Sequence, residues 1–155
     1  MFETQVQQAA IDDLEPAALL LERFFREEGF GASSRQIREQ LSYLLADADS
    51  AVFLAWREAR AVGVATVTTT RGLELGLSAE MEDLYVLPEA RQSGTGQALI
   101  SAVADWCRRL GCTLVAVVVT PEGQAAHDLL GYYQARGFEN TGRTLLFYHL
   151  DAEGE

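Results

Sequence analysis

The sequence predicts one domain of the mixed α/β class, residues 1–155, in which strands and helices alternate along the chain. Three observations support this prediction. Short runs rich in β-branched residues are bounded by glycine, proline or charged residues, as strands are, whereas longer stretches repeat apolar residues at helical spacing. A hydrophobic fraction of 48% over 155 residues is enough for one core, and the chain is too short for two ordinary domains.

The N-terminal segment predicts a strand and then a helix. Phe2 to Gln7 has a short strand pattern, and the helix runs from Leu14 to Glu28. Asp12 or Asp13 caps the start of this helix. Gly29 ends it, because glycine readily takes the left-handed conformation that follows a helix C-terminus.

A second helix and a pair of strands follow. Ser33 or Ser34 caps the helix, whose apolar residues recur at helical spacing. Two β-branched and apolar runs, Ala51 to Trp56 and Val62 to Thr70, then predict strands that meet in a hairpin around Arg57 to Arg60. The apolar positions of the second helix are Ile37, Leu41, Leu44 and Leu45.

The next segment predicts a strand, a long helix and a buried strand. A glycine-containing loop from Arg71 to Ser78 leads into a strand that ends at Val86. The helix runs from about Gly94 to Leu110 and stops at a glycine. Thr113 to Thr120 is an uninterrupted β-branched run, which is typical of a strand buried on both faces.

The C-terminal segment predicts one more helix and one more strand. The helix covers Ala125 to Arg136 and is ended by Gly137. The strand covers Thr144 to Leu150. The predicted order along the chain is therefore β-α-α-β-β-β-α-β-α-β.

The bend between the strand that ends at Val86 and the long helix has the composition of an anion site. Pro88 stops the strand, and the run R-Q-S-G-T-G from Arg91 to Gly96 precedes the helix. The first four N–H groups of a helix have no internal partner, and the helix dipole adds about half a positive charge there. A phosphate can therefore bind to the main chain alone. The two glycines let a diphosphate approach the backbone, and Arg91 offers a charge-assisted contact.

Two common phosphate-binding motifs do not match this bend. A P-loop requires G-x-x-x-x-G-K-[ST], and the chain contains no lysine. The dinucleotide fingerprint requires a third small residue where the chain has Leu99. What remains, R-x-x-G-x-G after a strand that ends V-x-P, resembles the acyl-CoA-binding motif of the GNAT superfamily of N-acyltransferases. The resemblance extends over most of the chain.

The resemblance implies the GNAT fold, a mixed central sheet of about seven strands with about four helices. In that fold the fourth and fifth strands, here Glu80 to Leu87 and Thr113 to Thr120, splay apart and acyl-CoA lies between them. The main chain of the fourth strand then pairs with the pantetheine arm as an added strand would, and the bend holds the diphosphate of acetyl-CoA. The implied cofactor-binding residues are Leu84, Tyr85, Val86, Arg91, Gln92, Ser93, Gly94, Thr95, Gly96 and Gln97.

A second motif, Y-Y-Q-A-R-G-F from Tyr132 to Phe138, resembles the family's F-Y-x-x-x-G-F, in which a helix delivers a tyrosine to the sulfur of acyl-CoA. The matching residue is Tyr133. When an amine displaces the thiol of a thioester, the leaving thiolate must be protonated, and a phenol with a pKa near ~10 can donate that proton. The alternative role is half-buried packing, which we favour for Tyr132. The family often has an asparagine that contacts the cofactor where this chain has Ala126.

Carboxylates near the end of the splayed strand are candidates for the general base. An amine acceptor is mostly ammonium at neutral pH and must lose a proton before it attacks. Regular alternation places Glu80, Glu82 and Leu84 on one face of the strand and Asp83 and Tyr85 on the other. We favour Glu82 and then Asp83. The alternatives are that these carboxylates are simply solvated, or that they bind the cation without acting as a base.

We expect the acceptor to be recognised by the first two helices with their loop, Phe24 to Arg38, and by the loop Arg71 to Ala79, because loops on a rigid sheet carry such specificity. Carboxylates pair with a cation and aromatic faces attract it, so an acidic and aromatic wall suits an amine. Its candidate substrate-binding residues are Phe25, Glu28 and Phe30, with Glu27 beside them.

The net charge of −11 argues against nucleic acid as the main partner, because phosphate backbones require a basic surface. The charge is compatible with attraction of a cationic acceptor, and the favoured alternative is that it only maintains solubility. No apolar run approaches the ~20 residues of a membrane span, and the N-terminus has no charged-then-apolar leader. We therefore expect a cytoplasmic protein with no membrane partner and no metal. A homodimer is common in the family and is left open.

Together these features predict an N-acetyltransferase that transfers an acetyl group from acetyl-CoA to a primary amine of a small cationic molecule or peptide. The amine attacks directly in a ternary complex, so no covalent enzyme intermediate is needed. Two alternatives are kept: a non-catalytic module that binds acyl-CoA as a sensor, and a protein N-acetyltransferase.

Overall fold

The computed structural model describes residues 3–150. The chain divides into two compact units, one that ends at Val118 and one that begins at Val119. Within the described residues, the first unit holds the sheet and three α-helices, and the second holds two short α-helices. The expectation of a single domain over residues 1–155 stays a prediction.

The first unit is built on one sheet, which has five strands in the described part of the chain, in the order β1-β2-β3-β4-β5. The first four strands pair antiparallel with their neighbours, and β5 runs parallel to β4. The class of fold, a mixed α/β sheet, is therefore as predicted, whereas the expected seven strands are not found. The strands are β1 Thr4–Gln8, β2 Ala51–Arg57, β3 Arg60–Gly72, β4 Gly76–Val86 and β5 Val115–Ala116.

Five α-helices are present in residues 3–150, one more than predicted. Two short 3-10 turns, Ile11–Asp13 and Pro88–Ala90, precede α1 and α3 respectively. The helices are α1 Leu14–Glu28, α2 Ser34–Ala46, α3 Thr95–Leu110, α4 Pro121–His127 and α5 Leu129–Gln134.

Local capping chemistry sets the ends of the first two helices. The bounds of α1 are as predicted, and Gly29 follows it with φ 75°. Asp13 is the N-cap residue of α1, one of the two predicted alternatives, but its side chain bonds to no N–H of that helix and instead accepts from the N–H of Ala10 in the 3-10 turn at 2.9 Å. Ser33 caps α2 by accepting from the N–H of Gln36 at 3.1 Å, and the Gln36 side chain accepts from the N–H of Ser33 at 2.8 Å.

The predicted loop from Arg71 to Ser78 is instead the tip of a long hairpin. Arg71 pairs with Leu77 and Gly72 with Gly76, so only a three-residue turn separates β3 from β4. Gly76 has φ 67°, a conformation that glycine adopts without steric cost.

Two predicted strands near the C-terminus are wrong. Thr113 to Thr120 forms a strand only at Val115–Ala116, because β5 pairs with β4 at Ala79 and Glu80 and no further. The expected burial on both faces is absent, and the side chains of Leu114 and Val118 are exposed. Thr144 to Leu150 has no strand assignment and no ladder partner among the described residues. β-branched and aromatic content does not make a strand without a neighbour to pair with.

The predicted helix from Ala125 to Arg136 is two helices. Asp128 lies between α4 and α5 in the left-handed conformation, with φ 47°. Its carboxylate accepts from the N–H of Gly131 and so caps α5. An aspartate can take both roles because its short side chain bonds to nearby main chain.

The core of the first unit lies where α3 packs on β3. Leu99 and Val103 of α3 are buried, as is Val64 of β3. A Cβ added to Gly63 would lie 3.0 Å from Cδ1 of Leu99, so this glycine allows the helix to approach the strand closely.

This packing predicts a large effect of shortening Leu99. Leu99→Ala leaves a cavity in a fully buried site, and we expect it to lower the free energy of unfolding by about 2.5–4 kcal/mol. Leu73→Ala, in the exposed hairpin turn, is the control and should change it by less than about 0.5 kcal/mol. Urea unfolding followed by circular dichroism measures both; equal values for the two variants would contradict the packing of α3 on β3.

Candidate active site

The bend between β4 and α3 leaves main-chain N–H groups open at the start of the helix. Gly94 is the N-cap residue, with φ 85°, and no side chain caps the helix. The first N–H of this helix that bonds inside it belongs to Ala98, which donates to the carbonyl of Gly94 at 2.9 Å. The N–H groups of the preceding turn have no helical acceptor. A Cβ added to Gly94 would meet no atom within 4 Å, so the space beside the bend is open.

Two hydroxyl side chains of the bend bond to each other and to its own main chain. Thr95 is only 1% exposed. The hydroxyl of Ser93 donates to the carbonyl of Ala90 at 2.5 Å and lies 3.0 Å from the hydroxyl of Thr95. From the other side, Arg57 at the end of β2 donates to the Ser93 hydroxyl at 2.6 Å. The bend is thus braced from behind, and its amides remain available for a diphosphate.

Arg91 is fixed between β4 and α1. Its Nε donates to the carbonyl of Val86 at 2.9 Å, and its Nη2 lies 3.4 Å from Oε1 of Glu27. Its guanidinium carbon lies 5.6 Å from the ring centroid of Tyr85. Arg91 is therefore already partly neutralised, and its contact with a diphosphate stays a prediction.

The edge of β4 that faces away from β3 is open where the sequence predicts the pantetheine arm. β5 pairs with β4 only at Ala79 and Glu80. The N–H of Leu87 donates to Val62 of β3 at 2.9 Å, so alternation turns the main-chain groups of Val86 and Leu84 to the opposite edge. The carbonyl of Val86 already accepts from Arg91 and has one lone pair left, and the remaining groups suit an amide-bearing arm that adds to the sheet as a strand would.

The side chain of Tyr85, predicted as a cofactor residue, packs against α1. Its ring lies 5.3 Å from that of Phe24, and its hydroxyl donates to Glu27 in a short hydrogen bond. Burial first, and then the bond to Glu27, raise the pKa of Tyr85 to about 12. That bond also contributes most to the lowered pKa of Glu27. The hydroxyl of Tyr85 is occupied, and alternation from Leu87 turns its main-chain groups towards β3. The predicted contribution of Tyr85 to cofactor binding therefore stays a prediction without support from this geometry.

The three candidate bases lie around a β-bulge. Thr66 pairs with Asp83 and Val67 with Met81, so Glu82 is the extra residue of β4. This interrupts the regular alternation from which the faces were predicted. Glu82 is exposed at the bulge, whereas Asp83 is half-buried and accepts a hydrogen bond from the hydroxyl of Thr66 at 2.5 Å.

Burial shifts the pKa values of two of these carboxyl groups. Burial first, and then the charges of Glu82 and Asp83, raise the pKa of Glu80. The pKa of Asp83 is also raised, because burial and the charge of Glu82 outweigh the hydrogen bond from Thr66, which lowers it. The three carboxylates therefore differ in environment, and Glu82 is the most accessible to solvent.

The raised pKa of Asp83 predicts how stability depends on pH. In the unfolded chain the pKa of an aspartate is near ~3.9, which is lower than the raised pKa of Asp83 in the folded chain. Above pH ~3.9 the folded state therefore binds more protons than the unfolded state, and the free energy of unfolding falls as the pH rises through the folded pKa. Asp83→Asn removes the titration and keeps an acceptor for Thr66. We expect the stability of this variant relative to wild type to increase between about pH 4 and pH 7.5. Urea unfolding at both pH values measures this, with Asp12→Asn at an exposed position as the control. The same difference in free energy of unfolding between Asp83→Asn and wild type at both pH values would contradict the prediction.

The candidate acceptor residues lie at the end of α1 and just beyond it. Phe25 and Phe30 are 5.4 Å apart, edge to face, and both rings contact Phe24. Phe30 is 41% exposed, and Glu28 is half-buried. Phe25 and Phe30 therefore share an aromatic cluster with Phe24, and the contact of Phe25, Glu28 and Phe30 with an acceptor stays a prediction.

The loop that carries Phe30 is held by an ion-pair network between α1 and α2. Arg38 donates to both carboxylate oxygens of Glu15, at 2.8 and 2.9 Å, and also bonds to Glu22. Such paired, planar contacts fix orientation as well as distance.

Tyr133, the candidate acid, belongs to the second unit. Its ring lies 5.2 Å from those of Tyr132 and Phe138. Burial first, and then the neighbouring Tyr132, raise the pKa of Tyr133 to about 12. The ring of Tyr132 is covered by Arg136, whose guanidinium carbon lies 3.6 Å from its centroid, consistent with packing.

The sequence analysis gave no role to Arg57, Phe24 or Thr66, and placed Glu27 only beside the acceptor wall. Each acts through a partner that is distant in sequence, as Arg57 does with Ser93, 36 residues away. No local motif marks such pairs. Among the described residues, no group of three or more histidine, cysteine or acidic side chains is placed to hold a metal ion. In the same part of the chain, no helix has the length and apolarity to span a membrane.

Comparison with known proteins decides the family. Residues 15–138 match the model of the Acetyltransferase (GNAT) family. The chain belongs to that family. An aminoglycoside N(6')-acetyltransferase type 1 from Stenotrophomonas maltophilia is 38% identical to this GNAT chain over 114 residues, 70% of this chain and 72% of that protein.

Solved structures agree with this assignment. An integron cassette protein from the mobile metagenome of Cole Harbour Salt Marsh superposes with a TM-score of 0.82 at 29% identity, covering 96% of this chain and 91% of that one. The acetyltransferase AAC(6')-Iy, solved with the bisubstrate analog CoA-S-monomethyl-acetylneamine, gives a TM-score of 0.81 at 25% identity, covering 97% and 99%.

The GNAT chain is therefore an acyl-CoA-dependent N-acetyltransferase, with acetyl-CoA as co-substrate. This confirms the predicted family, enzyme class and co-substrate. The individual site residues stay predictions.

Proposed function

We propose that this enzyme acetylates a primary amine of an aminoglycoside, by direct attack on acetyl-CoA in a ternary complex. The observation that carries the donor half is the uncapped start of α3 beside the open edge of β4. The acceptor half is supported by the relative from Stenotrophomonas maltophilia, which is named for the 6' amine of aminoglycosides. A net charge of −11 also suits a polycationic acceptor.

Donor binding in this proposal uses main chain more than side chains. The amides at the start of α3 hold the diphosphate, and the outward groups of Leu84 and Val86 pair with the pantetheine arm. Holding donor and acceptor in one cleft converts a bimolecular reaction into an effectively unimolecular one, which supplies much of the rate.

Three proton transfers and one acyl transfer make up the proposed reaction. Glu82, directly or through water, takes the first proton from the ammonium of the acceptor, and the free amine then attacks the thioester carbonyl. The new C–N bond forms as the C–S bond breaks, and Tyr133, whose raised pKa keeps the phenol protonated at neutral pH, donates its proton to the leaving thiolate. The attacking nitrogen loses its second proton to solvent, and Tyr133 regains a proton from solvent, so that an amide and CoA thiol are the products.

The test begins with the donor and then varies the acceptor. Calorimetry with CoA establishes binding, and thiol release from acetyl-CoA measures turnover with aminoglycosides, polyamines and basic peptides. The sharpest control is a pair of aminoglycosides that differ only in an amine or a hydroxyl at the 6' position. We expect turnover with the amine alone, and initial-rate patterns of a sequential mechanism.

Other outcomes would contradict the proposal in different ways. CoA binding without turnover of any amine would indicate a sensor, and turnover of peptides alone would indicate a protein N-acetyltransferase. A ping-pong pattern with a trapped acyl-enzyme would exclude direct attack. A cytoplasmic location, expected from the sequence, and a homodimer, which the resemblance to the family left open, are part of the same proposal, and sedimentation velocity tests the second.

A further inference from the structure

We propose that Arg57 is a cofactor-binding residue, whose guanidinium supplies positive charge to the diphosphate of acetyl-CoA from behind the bend. The inference rests on the proposed location of the diphosphate at the start of α3. It concerns a residue of the β2–β3 hairpin, outside the motif that defines the bend.

Two hydrogen bonds hold the Arg57 side chain in place. It is the last residue of β2, and its Nε donates to the hydroxyl of Thr4 in β1 at 3.1 Å. Its Nη2 donates to the hydroxyl of Ser93 at 2.6 Å, and that hydroxyl in turn bonds to Ala90 and lies beside Thr95. The guanidinium is therefore one side chain away from the open amides of α3. A guanidinium has five N–H donors, and these two contacts use two of them.

The charge of Arg57 has no carboxylate partner in the part of the chain that the structure describes. The ion pairs found there use other arginines: Arg23, Arg38, Arg60, Arg91 and Arg108. The contact between Nη2 of Arg57 and Ser93 is exposed to solvent, so the guanidinium is accessible to an anion. A guanidinium beside the bend that is proposed to hold the diphosphate can therefore offer its charge and its remaining N–H donors to that ligand.

The two arginines at the bend are therefore unequal. The charge of Arg91 is offset in part by the carboxylate of Glu27, 3.4 Å away, whereas no carboxylate offsets the charge of Arg57 in the described part of the chain. The negative charge of the protein as a whole repels CoA. A cation with no carboxylate partner beside the N-terminus of α3 offsets that repulsion at the proposed diphosphate site. We assign the charge of Arg57 to binding of the diphosphate and not of the 3'-phosphate, because its partner Ser93 belongs to the bend that is proposed to hold the diphosphate.

Calorimetry with CoA and with 3'-dephospho-CoA tests this assignment. We expect Arg57→Gln to raise the Kd of both ligands by the same factor, about 10-fold, as for loss of a charge-assisted interaction. Arg57→Lys keeps the charge and should stay within about 3-fold of wild type, and Ser93→Ala should weaken both ligands by about 3-fold. Arg108→Gln removes the same charge at the far end of α3 and is the matched control. The dependence of log Kd on salt concentration should be shallower for Arg57→Gln than for Arg108→Gln.

Three results would overturn the inference. The first is an unchanged Kd in Arg57→Gln. The second is a raised Kd for CoA but not for 3'-dephospho-CoA. The third is an equal rise in Kd in Arg57→Gln and Arg57→Lys together with a lowered Tm in both. The second would assign Arg57 to the 3'-phosphate, and the third would make it a structural brace only. If wild type binds neither CoA nor 3'-dephospho-CoA, the proposed diphosphate site itself is wrong. That result is distinguishable from a wild type that binds both ligands and an Arg57→Gln variant that binds them equally well, which would refute the role of Arg57 alone.

Discussion

Replacing Tyr133 with phenylalanine is expected to lower kcat about 100-fold while the Kd for CoA stays within about 2-fold of wild type. The phenol is the proposed donor to the leaving thiolate, and burial raises its pKa to about 12, so it carries its proton throughout the neutral range. Phenylalanine keeps the ring contacts with Tyr132 and Phe138, both at 5.2 Å. A lower kcat would therefore result from removal of the hydroxyl and not from a change in packing.

The matched control is the neighbouring tyrosine. Tyr132→Phe removes an equivalent hydroxyl from a ring that is covered by Arg136, and kcat should change by less than about 3-fold. Steady-state thiol release and calorimetry with CoA measure both variants. If Tyr133→Phe turns over at the rate of wild type, water is the acid and the role proposed for Tyr133 is wrong.

The second large effect is expected at the β-bulge. Glu82→Gln should lower kcat/KM for the amine about 100-fold at neutral pH, because the acceptor is then an ammonium ion that needs a base. The deficit should shrink as the pH rises towards the pKa of the amine, since the free amine needs no base. A pH-rate profile of the variant against wild type measures this. Glu39→Gln, the same change on the exposed face of α2, should leave the profile unchanged.

Asp83 provides the comparison that separates the possible roles of the carboxylates. Asp83 is half-buried and bonded to Thr66, so Asp83→Asn should reduce kcat/KM less than Glu82→Gln does. The opposite order would make Asp83 the base. A raised KM for the amine with an unchanged kcat in Glu82→Gln would show that Glu82 binds the cation without accepting its proton.

The features of the site that were predictable are those set by neighbours in sequence. Helix α1 has the predicted bounds because its cap glycine lies next to it, and the bend at Gly94 follows from a proline, two glycines and the apolar run behind them. The chemistry of a helix start is local, and so is its motif. Tyr133 is marked in the same local way, by the glycine and phenylalanine that follow it, and its role as the acid stays a prediction.

The features that were missed depend on partners far along the chain. The bulge at Glu82 arises from the register between β3 and β4, which no residue of β4 specifies alone. Tyr85 meets Glu27 from 58 residues away, and this contact gives the tyrosine side chain a role that its place in the cofactor motif does not reveal. The predicted strand at Thr144 to Leu150 failed for a related reason, since strand composition needs a paired edge to become a strand.

By itself, then, the order of residues determined the class of fold, the family motif and the glycine-containing bend before α3, because their signals lie in short stretches of sequence. Only the folded chain decided which arginine at the bend has a carboxylate beside it. Arg91 meets a carboxylate on α1, whereas within residues 3–150 the side chain of Arg57 bonds to the hydroxyl groups of Thr4 and Ser93. Charge compensation acts through space, and distance along the chain does not measure it.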